Sequence, residues 1–272
     1  MFTSSTDCSG PGPRKGIEPV RHWTHWTFQA GLVLAGALFA AVSTAQVFPE
    51  PPPVFQIIRV PGVNAPALKP YRGAGLEVIA MSTITGSPET WFLEVHPSFA
   101  SIEELDKRSP FEPPRGSQTL IAILRYDLSF RAADAGRRFS KARYFRVVIH
   151  QVRSGMERDY AEVVHLRRQA EEAKGLDEPE IVYQVVSGGS ITTYLFIAPF
   201  ATLSKLDDDR PRNPAYAENE PRPEVIPGVR PKIAPDVEFT LDNVFLRVDP
   251  RRSCVSDEFA SRDRDFWRGG TQ

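Results

Sequence analysis

The hydrophobic residues of this chain follow two periods, which predicts both strands and helices. Residues 144–153 alternate apolar with polar side chains and are rich in β-branched residues, as strands are. Residues 155–174 place Met156, Tyr160, Val163, Val164 and Ala170 at helical spacing on one face. Further elements are predicted as strands at Ile181–Ser187 and Thr192–Ala198, a short helix from about Ala201 and a strand near Val244–Val248. This order, strand-helix-strand-strand-helix-strand, is that of a ferredoxin-like unit.

The same pattern occurs earlier in the chain, which indicates an internal repeat. Residues 77–106 resemble residues 180–207 in a strand, a glycine turn, an aromatic-led strand and a short helix. This alignment pairs Trp91 with Tyr194, and a β-branched strand at residues 54–60 opens the first copy. Agreement in the same order over this length favours a duplication.

The first copy is predicted to be degenerate. Its first helix should lie within residues 61–75, where three prolines and three glycines oppose a multi-turn helix. The sequence therefore predicts an α+β protein with two tandem ferredoxin-like units. They span residues 54–135 and 140–250.

The amino terminus has the composition of an export signal. Residues 30–45 form a sixteen-residue run without charge after a mildly basic leader. Ser43 and Ala45 occupy the −3 and −1 positions of a cleavage site before Gln46. We therefore predict that residues 1–45 are a signal peptide and that the protein is exported. The alternative is an uncleaved amino-terminal anchor, although the run is shorter than the roughly 20 residues of a typical span.

Proline and cysteine refine this organisation. The chain has 25 prolines, which cluster in a predicted spacer at residues 46–53 and in a long surface excursion at residues 210–235. A carboxy-terminal tail of residues 251–272 follows the second unit. After signal cleavage Cys254 is the only cysteine, so no disulfide within the chain is expected.

The charge balance excludes one large class of function. With 33 basic and 34 acidic residues the formal net charge is −1, which disfavours nucleic-acid binding.

The sequence contains no phosphate-binding loop, nucleophile elbow or zinc-protease helix. Glu162 and His165 have the spacing of half a di-iron site, but the other half is missing, so a solvated helix face is expected. Cys254 has no base near it in sequence and is expected to be buried or inert.

Several of these segments resemble the dimeric α+β barrel superfamily, including its antibiotic-biosynthesis-monooxygenase-like and NIPSNAP-like members. The likeness lies in a strand that opens with Tyr144 and Phe145, in Gly155 before the helix, and in residues 182–188 and 194–207. The tandem layout and the ending also resemble a group of exported bacterial proteins. The ending comprises residues 255–260 and 265–267.

This resemblance implies that the two units pack sheet against sheet into a barrel within one chain. Such a chain would be a monomer with an internal pseudo-dimer. The superfamily contains oxygenases, haem-degrading enzymes and proteins without known activity, so the resemblance implies no single reaction.

Polar residues on two predicted strands are the candidates for a site inside that barrel. Arg146 and His150 share one strand face, Glu94 and His96 share another, and Gln184 lies on a third strand. If these faces point inward, the five residues would converge on a ligand-binding cavity and supply a proton-transfer pair or a haem ligand. The alternative is that these faces meet solvent or that their charges pair as structural filler.

We therefore expect a non-enzymatic protein that binds a small apolar ligand or a partner protein, with no cofactor and no stable membrane span unless the leader is retained. The alternative is a cofactor-independent monooxygenase or a haem-binding or haem-degrading oxidoreductase that acts in the barrel cavity.

Overall fold

A computed structural model of the chain describes residues 50–63, 77–108, 113–173, 175, 178–208 and 237–269. The predicted signal peptide, the first four residues of the spacer and the proline-rich excursion lie outside these ranges. Most of the segment in which the first unit was expected to lack its helix, residues 64–75, also lies outside them.

The first unit is a four-stranded antiparallel sheet. Its elements are β1 (Val54–Pro61), β2 (Glu77–Thr83), β3 (Glu89–His96), helix α1 (Phe99–Arg108) and β4 (Gln118–Leu124). The strands lie in the order β4-β1-β3-β2, which is the ferredoxin-like order. Helix α2 (Ala132–Phe139) then leads to the second unit.

The second unit repeats this arrangement. Its elements are β5 (Tyr144–Val152), α3 (Glu157–Ala173), β6 (Ile181–Ser187), β7 (Thr193–Phe200), α4 (Lys205–Asp208) and β8 (Glu238–Val248). The order β8-β5-β7-β6 places its first and third strands at the centre, as in the first unit. Strand β8 begins six residues before the predicted Val244, and this extension pairs with the second half of β5.

The two sheets join edge to edge into one closed barrel. Strand β2 pairs with β8 and β4 pairs with β6, both antiparallel, so the eight strands form a complete ring. The predicted α+β fold, with two ferredoxin-like units closed into a barrel by a single chain, is confirmed. Closure gives the edge strands of each unit a partner from the other unit.

The register of the repeat differs from the sequence alignment by one residue. Trp91 lies in the barrel core with Leu195, whereas Tyr194 packs outside the barrel against Tyr160 of α3. Side chains alternate between the two faces of a strand, so a slip of one residue reverses the face. The aromatic pair that suggested the repeat is therefore not structurally equivalent.

Three segments cover one end of the barrel. Helix α2 brings Gly136 against the backbone of Glu50 and Pro51, where a Cβ atom would be in tight contact. The Tyr183 hydroxyl donates to the carbonyl oxygen of Pro52 at 2.8 Å. The described part of the spacer is therefore packed against the barrel.

The tail covers the same end with two short helices, α5 (Asp257–Ser261) and α6 (Arg264–Arg268). Phe259 and Trp267 are buried in the barrel core, and the Trp267 Nε1–H donates to the carbonyl oxygen of Ser140 at 2.7 Å. These aromatic side chains therefore hold the tail against the body of the barrel.

Candidate functional site

The barrel interior is filled with apolar side chains. Eight of them enclose a residual space of only about 10 Å³, namely Ile57, Met81, Trp91, Leu93, Phe145, Val147, Leu195 and Ile197. Small-molecule sites usually have about 300–1,000 Å³. The interior therefore has no room for a ligand, and the expectation of a cavity there is wrong.

The condition for a site inside the barrel, that the polar strand faces point inward, is not met. Phe145, Val147 and Ile149 face the interior, and the alternating positions Arg146 and His150 face outward. An eight-stranded barrel is just wide enough to be filled by side chains, so its inside takes the most apolar face of each strand. The helices then cover the outer, more polar faces.

Haem does not fit the barrel interior, since about 10 Å³ cannot hold a macrocycle. Of the two candidate histidines, His150 lies on the outer face under α3 and is only 6% exposed. Its Nδ1 atom lies 3.1 Å from Oε2 of Glu238 and 3.3 Å from the hydroxyl of Tyr160.

His150 belongs to a buried polar cluster that joins β5, β8 and α3. Arg167 of α3 donates to Oε1 of Glu238 at 2.6 Å. Burial raises the pKa of Glu238, but the interactions with His150 and Arg167 outweigh it, so the pKa lies below its ordinary value. Burial, and then the Glu238 carboxylate, raise the pKa of the Tyr160 hydroxyl well above its usual range. The cluster holds α3 and the first half of β8 to the sheet.

Arg146 and Gln184 are not part of this cluster. The Arg146 Nε–H donates to Oδ1 of Asn243 at 3.2 Å on the outer face of β8. Gln184 accepts from Arg125 at 2.8 Å and donates to the carbonyl oxygen of Ile191 at 2.9 Å. These contacts support strand pairing and turns.

Glu94 and His96 lie together in the other unit. Both side chains are fully buried on the outer face of β3, with 3.5 Å between Oε2 of Glu94 and Nε2 of His96. His96 Nδ1 also lies 3.2 Å from the hydroxyl of Ser101 in α1. The five candidate residues therefore form separate groups on the two units.

The expected solvated face of α3 is confirmed at Glu162 and His165, which are both exposed. Its neighbours Arg167 and Arg168 instead turn toward the sheet, where Arg168 donates to Glu180 at 2.7 Å. Among the described residues there is no group of three or more metal-ligating side chains. No helix within the same residues is long and apolar enough to cross a membrane.

The structure shows a large cleft that the sequence did not indicate. It has a volume of about 920 Å³ and lies beside the junction of β2 and β8, against the tail. Its walls contain Ser82, Arg143, Arg247, Val248, Asp249, Pro250, Arg251, Asp263, Asp265, Phe266 and Gly269. We call this surface the arginine cleft, because three guanidinium groups line it.

Two arginines of the cleft differ in their contacts. Arg143 is held in place, since it donates to Asp263 at 2.5 Å and its guanidinium carbon lies 3.7 Å from the ring centre of Phe266. Arg247 is exposed on the outer face of β8, next to Tyr144 of β5. Arg143 lies more than 100 positions before Arg247 in the sequence, so only the folded chain brings the two arginines together.

No protein-family model matches this sequence, and no curated protein matches it. Several solved structures are similar in shape. A haem-binding protein from Thermus thermophilus aligns over 78% of this chain and 94% of its own, at 10% identity and a TM-score of 0.43. A predicted monooxygenase from Fusobacterium nucleatum aligns over 72% and 92%, at 11% identity and a TM-score of 0.40.

An anthrone oxidase-like protein aligns over 75% of this chain and 94% of its own, at 6% identity and a TM-score of 0.40. The fold assignment rests on the strand order of this chain itself. Two four-stranded sheets of identical order close into one ring of eight strands. The chain therefore has the dimeric α+β barrel fold, with both halves of the barrel supplied by a single polypeptide.

Proposed function

We propose that this chain is an exported binding protein that takes a small anionic ligand in the arginine cleft. The observation that carries the proposal is the contrast between the two spaces in the molecule. The barrel interior retains about 10 Å³, whereas the cleft offers about 920 Å³. The second volume lies within the range of small-molecule sites, and the first lies far below it.

Three aspartates of the cleft balance the formal charge of its three arginines, so the preference for a carboxylate or a phosphate group rests on the exposed Arg247. The guanidinium group of arginine presents paired N–H donors that match the oxygens of these anions. Arg247 reaches the cleft from an exposed position, and Arg143 is already oriented by Asp263 and Phe266. The ring of Phe266 adds an apolar wall for the body of the ligand. The proposed ligand is therefore anionic, whereas the ligand expected from the sequence was apolar.

The two alternatives, a monooxygenase and a haem-binding or haem-degrading oxidoreductase, require a cavity inside the barrel. Only about 10 Å³ remains there. A single chain completes the ring of strands, so we also propose that the protein functions as a monomer. Its molar mass in solution, measured by light scattering, would be twice the chain mass if this were wrong.

Calorimetric titration of the chain from Gln46 onward with citrate, succinate, benzoate and inorganic phosphate tests the ligand class. Arg247→Gln should weaken binding of the tightest probe about 10- to 100-fold, as expected when a charged hydrogen bond is removed. Arg158→Gln changes an exposed arginine of α3 that does not line the cleft, and it should leave binding unchanged. If the folded protein binds none of these anions, or if both variants weaken binding equally, the proposal is wrong.

A further inference from the structure

The carboxylate of Glu94 is the least expected group in the described part of the chain. Its side chain is fully buried, and neither carboxylate oxygen has a hydrogen bond partner among the described residues. Burying a carboxylate without hydrogen bonds is costly, so such a group calls for a physical reason. The nearest partner is Nε2 of His96, at 3.5 Å.

His96 connects this carboxylate to a serine on the neighbouring helix. The imidazole is itself fully buried, and its two nitrogens face different groups. Nε2 faces Glu94, and Nδ1 lies 3.2 Å from the hydroxyl oxygen of Ser101. A serine hydroxyl, an imidazole and a carboxylate in this order form the relay that activates serine nucleophiles.

Ser101 is the accessible member of the three. It is partly exposed in the first turn of α1, while the residues before it, from Pro97 to Ala100, are exposed. Its hydroxyl donates to the carbonyl oxygen of Ser98 at 2.6 Å and can instead turn toward His96 at 3.2 Å. The first-turn N–H groups of a helix have no acceptor within the helix, and the helix dipole is positive there.

We propose that Ser101, His96 and Glu94 form an acyl-transfer site that cleaves small carboxylic esters. This activity goes beyond ligand binding in the arginine cleft and uses none of the residues of the cleft. The carboxylate of Glu94 beside Nε2 favours the tautomer of His96 that carries its proton on Nε2, which leaves Nδ1 to accept the proton of Ser101. The 3.5 Å separation shortens when the substrate is bound, as catalytic hydrogen bonds commonly do.

The reaction proceeds in two balanced steps. The Oγ atom of Ser101 attacks the ester carbonyl carbon as its proton passes to Nδ1 of His96. The C–O bond to the alcohol breaks, the alcohol takes that proton, and the acyl group remains on Ser101. Water then attacks the acyl-serine, gives a proton to His96, and releases the carboxylic acid as the proton returns to Ser101.

The surroundings favour short, neutral acyl groups. Phe99 is 54% exposed two residues before Ser101 and provides an apolar surface for an acyl chain. The positive end of α1 favours the negative charge that develops on the carbonyl oxygen. We therefore expect acetyl and butyryl esters to be substrates.

The test is covalent labelling of the chain from Gln46 onward with a fluorophosphonate probe, followed by peptide mass spectrometry. The probe loses fluoride as its phosphorus bonds to Oγ, so the adduct should map to Ser101. Ser101→Ala should abolish this labelling and the hydrolysis of p-nitrophenyl acetate. Ser98→Ala, which changes an exposed serine in the same turn and leaves its backbone carbonyl intact, should preserve both.

His96→Gln should slow labelling of the folded protein at least about 100-fold, which is the usual contribution of a general base. If the probe labels the parent protein at another residue, or does not label it, the proposal is wrong, whether or not His96→Gln folds. Labelling of folded His96→Gln at the rate of the parent protein would also overturn it. Arg247→Gln should label like the parent protein. Loss of anion binding with labelling intact would therefore affect only the proposal for the cleft.

Discussion

Leu195 offers the most direct test that the barrel interior is a packed core. Its side chain is fully buried and borders the residual space of about 10 Å³. Leu195→Ala removes three carbon atoms, which corresponds to about 2.4 kcal/mol of lost hydrophobic transfer free energy. A residual cavity of roughly 40–80 Å³ adds about 1–2 kcal/mol. We therefore expect the free energy of unfolding to fall by about 3–4 kcal/mol.

Urea denaturation followed by circular dichroism measures this change. Leu166→Ala is the matched control, because Leu166 is 58% exposed on α3 and its truncation should cost no more than about 0.5 kcal/mol. The enlarged interior should also bind xenon, as apolar cavities made by truncation do. The parent protein should not bind it.

A small destabilisation would refute this description of the barrel. If Leu195→Ala lowered the free energy of unfolding by less than about 1 kcal/mol, the interior would be loosely filled. Binding of xenon by the parent protein would lead to the same conclusion. A ligand site inside the barrel would then again be possible, and the arginine cleft would lose its main support.

Three further predictions concern other parts of the chain. Glu238→Gln should lower the free energy of unfolding at neutral pH by about 2–3 kcal/mol. The pKa of Glu238 lies below its ordinary 4.5, so the parent protein should have the higher free energy of unfolding above pH 4.5. This difference between parent and variant should disappear as the pH falls, and denaturation curves from pH 3 to 7 measure it. Gly188→Ala should lower the free energy of unfolding by about 2 kcal/mol or more in melting experiments, because Gly188 has φ +80° and a Cβ would overlap the carbonyl oxygen of Thr119. Gly189→Ala should lower it less. Amino-terminal sequencing of protein secreted by an expressing bacterium should begin at Gln46, and a start at Met1 would contradict export by cleavage.

The strands and their order could be predicted because their signals are local. Alternation of β-branched and polar residues identified β5 and β6 closely, and a repeated order of elements indicated two units. Of the residues whose spacing predicted helix α3, Tyr160, Val163 and Val164 are buried against the sheet. Met156, which belonged to the same predicted face, precedes the helix and is 37% exposed. Local periodicity reports which residues share a face.

Local periodicity does not report which face turns inward. Strand β5 has Phe145, Val147 and Ile149 on one side and Arg146, Val148 and His150 on the other, and both sides are partly apolar. Ring closure decided between them, because a narrow barrel takes the more apolar face. Most residues of the predicted site therefore lie apart from one another on the outer face of the barrel.

The partners of the predicted site residues were likewise set by the fold. His150 meets Glu238, which lies 88 positions later, through the pairing of β5 with β8. Arg143 meets Asp263 and Phe266 because the tail folds back over one end of the barrel. No spacing rule connects residues at such distances.

Patterns within short segments are enough to predict the class of fold and the duplication. That the barrel is filled, that the polar faces lie outside it and that a large cleft borders the tail follows only from the folded chain. Those features depend on how distant segments share a limited volume. The alternation of residues along one strand does not show which distant segments will fill that volume.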